Sequence, residues 1–362
     1  MIAAALLDED PGAEVALVTG LALDPGWLVD PRMTIVRVPP LIKMNNGVYR
    51  GVGMGFDQTI AAREDRFLGA VELFEPDVVV VDRHPHGVSG ELRTGLRQAA
   101  HMGAHLVLGL RDVLDEPEVI AAEMAGEAWM ELGDTFDSVL VYGSQEFCDH
   151  QREYGLSLTP AYCGWVVEKP PATEIDPEVL VVAAGGGGDG EAVFRLGVGT
   201  VELRQDWRAT LVTGPYADAS ATRRLVADST ARRRLRIDLD IPGCGPSFAG
   251  AGATLQMAGY NSTFEALAAG ARPILVPRRH PRREQLIRAS RLAALGLADV
   301  LDEDPTPADV SWLLDQPRHL PPERLETAGI SLDGAQRTAR FLAGVGGNSR
   351  SSVAETERWA WQ

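Results

Sequence analysis

The chain has 362 residues, 45% of them hydrophobic and 23% charged, and a formal net charge of -17. This length suits two domains with ordinary cores, and the composition excludes wholesale disorder. The acidic balance excludes nucleic acid or a generally anionic membrane as partner, because phosphate-binding surfaces are basic.

The opening residues MIAAALLDEDPG lack the basic region and the apolar run of a signal peptide, and nothing reaches membrane-spanning length. Cys148, Cys163 and Cys244 have neither even pairing nor metal-like spacing, so a reducing cytoplasm is the expected setting. Peripheral contact with a membrane, where a lipid acceptor could be reached, stays open.

In chain order, residues 1–8 read as the end of a helix whose beginning is absent. Strands are expected over 14–19, 34–38, 77–82, 105–110 and 138–142, with helices over 58–74, 91–102, 117–132 and 146–154. Continuous apolar runs such as VVVV suit strands covered on both faces, which means a parallel sheet between helical layers. Residues 43–47 and 51–55 read as a mobile segment suited to an acceptor lid. Open α/β sheets bind ligands beyond the carboxyl ends of their strands. That places Asp82 and His84 where a general base would act on an acceptor hydroxyl, although a loop histidine without catalytic work has the same appearance. A metal at His84 and His86 lacks a third ligand of suitable spacing.

A linker with Pro170 and Pro171 is expected over 167–177. The next strand, 178–184, runs into the glycine-rich GGGGDG of 185–190, where backbone N–H groups can approach a phosphate or sugar. Gly185, Gly187 and Gly190 also satisfy G-x-G-x-x-G. A dinucleotide site, however, wants an acidic residue at the end of the following strand, and 210–212 ends in Thr213-Gly214-Pro215 instead. Gly197 and Gly199 suggest a short or broken helix after the loop. Further strands are expected over 235–241 and 300–301, with helices over 286–295, 306–317 and 334–344.

The stretch 254–285, TLQMAGYNSTFEALAAGARPILVPRRHPRREQ, reads as strand, turn, helix, strand and loop. Asn261, Ser262 and Thr263 are cap-type residues after the tight Ala258-Gly259 turn, and Gly270 suits a helix C-terminus. Glu265 fits the first helical turn. One reading is a plain capping box closed by Glu265; the other is a helix N-terminus open to an anion, beside an Arg-rich loop over 278–283.

GYNSTFEALAAGARPILVPR followed by EQLIRASRLAALG resembles the C-terminal half of GT-B glycosyltransferases of the family 28 type, and GGGGDG with the PRREQ segment resembles a bacterial set of that group. The resemblance implies two doubly wound Rossmann-like α/β domains facing across a cleft: 1–166, then the linker 167–177, the nucleotide-sugar domain 178–345, and a tail 346–362. It implies that Gly186, Gly187, Gly188, Asp189, Thr213, Gly214, Gly259, Asn261, Ser262, Thr263 and Arg278 bind the nucleotide-sugar donor, with the diphosphate at Asn261 to Thr263. Glu265 would bind the ribose hydroxyls, and Glu284 and Gln285 the donor sugar. The implied reaction moves a hexosyl group from a UDP-sugar to an acceptor hydroxyl, with inversion and without a bound metal or other cofactor. A nucleotide-sugar epimerase or hydrolase, or a binding protein with impaired turnover, keeps the same plan. The resembled family opens with a strand and a glycine loop that are missing here, so the start of the first domain is expected to be truncated.

Overall fold

The computed structural model describes residues 1–21, 30–43, 49–184, 190–214, 218–239 and 243–348. The chain forms two compact units. The first holds Met1–Asp112, Pro117–Gly164 and the chain from Asp333; the second holds Val113–Glu116 and Trp165–Leu332.

In the first unit the order is α1 (Ile2–Glu9), β1 (Val15–Thr19), β2 (Met33–Arg37), β3 (Leu41–Lys43), β4 (Tyr49–Gly51), α2 (Phe56–Phe74) and β5 (Val78–Asp82). There follow α3 (Arg93–His101), β6 (His105–Arg111), α4 (Pro117–Met124), α5 (Glu127–Met130), α6 (Leu132–Thr135), β7 (Ser138–Tyr142), α7 (His150–Tyr154) and β8 (Ala161–Tyr162). The apolar runs do form parallel strands. β5, β6, β7 and β8 lie side by side in one sheet, and β1 pairs β2 in another. Among the described residues no strand joins β1 to β5. Val80, in the middle of β5, is 40% exposed, so that face of the strand is only partly covered.

Three local expectations change. The helix expected over 117–132 divides into α4, α5 and α6, because Ala125-Gly126 breaks the ladder and Gly126 becomes the N-cap of α5. The helix expected over 146–154 starts late, with the Asp149 side chain accepting the Arg152 N–H. The expected lid segment is bounded by a regular antiparallel pair, β3 with β4, and Gly55 is the N-cap of α2; residues 44–48 lie outside the described chain.

The second unit continues with β9 (Asp176–Ala183), α8 (Glu191–Leu203), β10 (Arg208–Thr213), α9 (Ala219–Asp228), β11 (Leu235–Leu239), α10 (Gly245–Ala249), β12 (Ala251–Gln256) and α11 (Tyr260–Ala268). It ends with β13 (Ile274–Leu275), α12 (Glu284–Ala294), β14 (Asp299–Val300), α13 (Pro307–Leu314) and α14 (Arg324–Thr327). The strands form one parallel sheet in the order β11-β10-β9-β12-β13-β14. Leu180, Val182, Leu211, Ala253 and Leu255 pack on the side of α8 and α13. Val181, Ala183 and Val212 pack on the other side, with Phe248 of α10 and Ala266 of α11.

α8 is continuous despite its two glycines. A Cβ at residue 197 would stand 2.5 Å from Val182 Cγ2, and one at residue 199 would stand 2.7 Å from Pro307 of α13, so both glycines serve close packing. The last helix, α15 (Gly334–Asn348), belongs to the first unit, where it packs on α1 and sets Phe341 edge-on to His105. The second domain, expected to run to 345, therefore gives up its final helix. Among the described residues no helix is long and apolar enough to cross a membrane, and no group of His, Cys, Asp and Glu is placed to hold a metal ion.

Candidate functional site

Strand order locates the candidate site. From β9 the chain first builds outward to β10 and β11, then crosses back and builds β12, β13 and β14 on the other side. The order reverses between β9 and β12, and ligands in such sheets bind beyond the carboxyl ends of the strands at that reversal. Two segments leave there. One is the glycine-rich stretch after β9, of which Gly186, Gly187, Gly188 and Asp189 lie outside the described residues. The other is the turn Met257-Ala258-Gly259 after β12, which opens α11.

Gly259 is the N-cap of α11, and no side chain caps the helix. This overturns the capping-box reading: neither Asn261 nor Ser262 caps, and Glu265 lies one turn further in. The Thr263 N–H bonds the Gly259 carbonyl, which leaves the N–H groups of Tyr260, Asn261 and Ser262 as the uncapped end. Asn261 is exposed, while Tyr260 and Ser262 are buried. The Thr263 side chain is wholly buried toward the helix-sheet layer, so it presents no hydroxyl to solvent.

Tyr260 and Phe264 anchor the start of the helix from within. The Tyr260 hydroxyl accepts the Val166 N–H at 3.0 Å, and Phe264 stacks on the fully buried Trp165 at 5.0 Å between ring centres. Arg288 of α12, also buried, donates to the Ala258 carbonyl at 3.0 Å and lies 5.7 Å from the Tyr260 ring centre. A guanidinium thus stands behind the turn that starts α11.

Glu265 reaches across to the start of α10. Its Oε2 accepts the Cys244 N–H at 2.8 Å, and the Gly245 N–H bonds it as well. Burial pushes its pKa up, a trend that Glu168 reinforces and the two backbone donors oppose. The Cys244 thiol is pushed up to about 12 by burial and by Glu265. The carboxylate is therefore positioned by backbone, with Cys244 and Gly245 as partners that sequence spacing gave no means to find.

The Arg-rich loop is internally tied. Arg278 donates to Glu284 Oε1 at 2.5 Å, and the Arg278 N–H bonds Gln285 Oε1 at 3.1 Å. Asp115, buried within the same unit, accepts the N–H groups of Glu116 and Arg283, and Arg283 pairs with Glu116 at 2.6 Å. Arg278, Glu284 and Gln285 thus come together as expected, while Asp115 was not foreseen. Thr213 ends β10 and is buried on the α8 side, the opposite face from α11, with Gly214 after it.

In the first unit, Asp82 ends β5 with its side chain exposed, and the His84 N–H bonds the Asp82 carbonyl in a tight turn. Arg83 between them has φ 67°, left-handed backbone that non-glycine residues rarely adopt. Tyr142 lies across Gly109, where an added Cβ would meet its hydroxyl at 2.2 Å. Burial pushes the Tyr142 phenol far up, and the nearby Asp82 carboxylate adds to that. His86 is turned inward: it faces Arg93 through Nδ1 and Thr135 through Nε2, at 3.3 Å each, and Arg93 holds Glu127. That arrangement ties α3, α5 and α6 together.

No protein-family profile and no curated protein matches the sequence. Solved structures do. The chain is similar to the MurG of Acinetobacter baumannii at 15% identity and TM-score 0.53, covering 97% of this chain and 94% of that one. It is similar to the calicheamicin glycosyltransferase CalG4 at 18% identity and TM-score 0.55, with 97% and 91% covered. The pneumococcal O-GlcNAc transferase GtfA, solved with UDP and GlcNAc, matches at 13% identity and TM-score 0.50, with 81% and 60% covered. At such identities the likeness speaks for architecture: this chain has the GT-B fold of glycosyltransferases.

Proposed function

We propose that the chain is a glycosyltransferase that moves a hexosyl group from a UDP-sugar to an acceptor hydroxyl, with inversion and without a metal ion. One observation carries the reading: the uncapped start of α11 lies at the reversal of strand order in the second sheet. An uncapped helix N-terminus directs unpaired N–H groups and the positive end of its dipole at an anion. The donor diphosphate rests there. As the acceptor oxygen bonds the anomeric carbon and the bond to the diphosphate breaks, negative charge grows on the leaving group. Each backbone donor already aimed at that charge is worth about 2–4 kcal/mol in a dry site.

Glu265, fixed by the Cys244 and Gly245 N–H groups, accepts the ribose hydroxyls through its remaining lone pairs. Glu284 and Gln285, both bonded by Arg278, meet the donor sugar. Asp82 and His84, at the end of β5, are the candidates to take the acceptor proton, and the left-handed Arg83 between them is the kind of backbone found where a loop is shaped for a task. The likeness to GtfA, solved with UDP and GlcNAc, supports UDP as the nucleotide.

A thermal-shift screen of nucleoside diphosphates and their sugars tests this. A ligand that binds only the folded chain raises its melting temperature, so UDP and at least one UDP-sugar should do so, and Glu265→Ala should weaken both severalfold. If no nucleotide shifts the transition, the donor site and the reaction fall together. Incubation with donor alone separates the rival reading, because a new sugar or rapid hydrolysis without acceptor marks an epimerase or hydrolase.

A further inference from the structure

Gln256 is the last residue of β12 and is fully buried. Neither its Nε2 nor its Oε1 has a hydrogen-bond partner among the described residues. Buried amides are nearly always paired, so an exception calls for an explanation. The hydroxyls of Thr254, two residues earlier on the same face of β12, and of Thr263, in the first turn of α11, are likewise fully buried and unpaired.

Strand register fixes where this amide lies. Gln256 stands in register with Ala183, the last residue of β9, and with Leu275 of β13. Leu255 beside it packs on the α8 side, so Gln256 and Thr254 lie on the face that α10 and α11 cover. Gln256 therefore occupies the carboxyl edge of the sheet at the reversal between β9 and β12, three residues before the N-cap of α11. The neighbouring residue on β9 is an alanine, which leaves the long amide without a bulky neighbour on that side.

We infer that Gln256 is a ligand-contacting residue of this site: its carboxamide bonds oxygens of the diphosphate received at the start of α11. The inference rests on the proposed function and adds the residue that completes the anion site from below. Before binding, the amide is unpaired and costs stability; binding supplies its partner. Because the amide is wholly buried, the ligand reaches it by displacing the side chains at the strand edge. Residues kept for binding at a cost in stability are common at functional sites.

The test compares the full-length protein with Gln256→Met, which keeps the volume and removes both polar atoms. Melting temperature is measured without ligand, and affinity for UDP and for inorganic pyrophosphate is measured by calorimetry. The expected result has two signs: the variant melts higher, by about 2–4 °C, and binds both anions about tenfold more weakly. Unchanged affinity overturns the inference, and so does a variant that melts lower or fails to fold, since an unpaired amide cannot hold the fold together. If the wild-type chain binds neither anion, the donor-site reading itself fails. That outcome is visible in the wild type, apart from any effect of the variant.

Discussion

Glu265 shows how one carboxylate links stability and binding. Burial raises its pKa above the ordinary value of 4.5, so the folded chain holds this proton more tightly than the unfolded chain does. Its contribution to stability is therefore fully present below 4.5 and is lost as pH rises through the raised folded value. Glu265→Gln keeps an oxygen for the Cys244 N–H and removes the titration. Melting curves taken between about pH 4 and 7 should show the variant gaining on the wild type as pH rises. UDP affinity should tighten with pH in the wild type and stay flat and weaker in the variant; parallel pH profiles would remove the charged carboxylate from the site. At this scale the sequence was informative about residue type only. It pointed to Glu265 through its company in GYNSTFE, yet the partners at Cys244 and Gly245 are 21 and 20 positions away and needed the packing of α10 on α11. Gln256 was unreadable for a different reason. In TLQM it looks like a polar interruption of an apolar run, and only strand register reveals that it faces the layer beneath α11.

Elements were more legible than residues, and their errors share a cause. The apolar runs became parallel strands, covered on both faces in β6 and β7 and on one face in β5. The start of α11 was placed among Asn261, Ser262 and Thr263 by cap chemistry, whereas Gly259 takes that position and its lack of a side chain leaves the first N–H groups open. α8 was doubted because glycine is a poor helix former, a local rule that tertiary packing overrode. Two substitutions separate these effects. Gly197→Ala gains about 1 kcal/mol of helix propensity, but its Cβ would meet Val182 Cγ2 at 2.5 Å. Overpacking of that kind costs about 1–3 kcal/mol, so denaturant unfolding should show a net loss. Gly344→Ala in α15, exposed and with nothing within 4 Å of its added Cβ, should stabilise by about 0.5–1 kcal/mol. Equal effects at the two sites would mean that propensity alone decides, and the close-packing account of α8 would be wrong.

For the whole molecule, the alternation of strand and helix led to the GT-B expectation, and the solved relatives bear that fold out across 97% of the chain. What the alternation could not foresee is the membership of α15, since an amphipathic helix does not state in sequence which core it covers. Ending the chain after Leu332 would strip α15 from α1 and from the Phe341 contact with His105. Limited proteolysis of that shortened chain should cut first inside residues 1–164, with Trp165–Leu332 outlasting them; the reverse order would mean that α15 is dispensable to the first unit.

The return of α15 also sets a timetable for biosynthesis. A domain made of consecutive residues can close as soon as it leaves the ribosome. Here the earliest-made sheet waits for the last-made helix, while the intervening Trp165–Leu332 stretch emerges complete beforehand. The first unit is thus the one that closes last, and until α15 emerges the surface of α1 that it covers stays open.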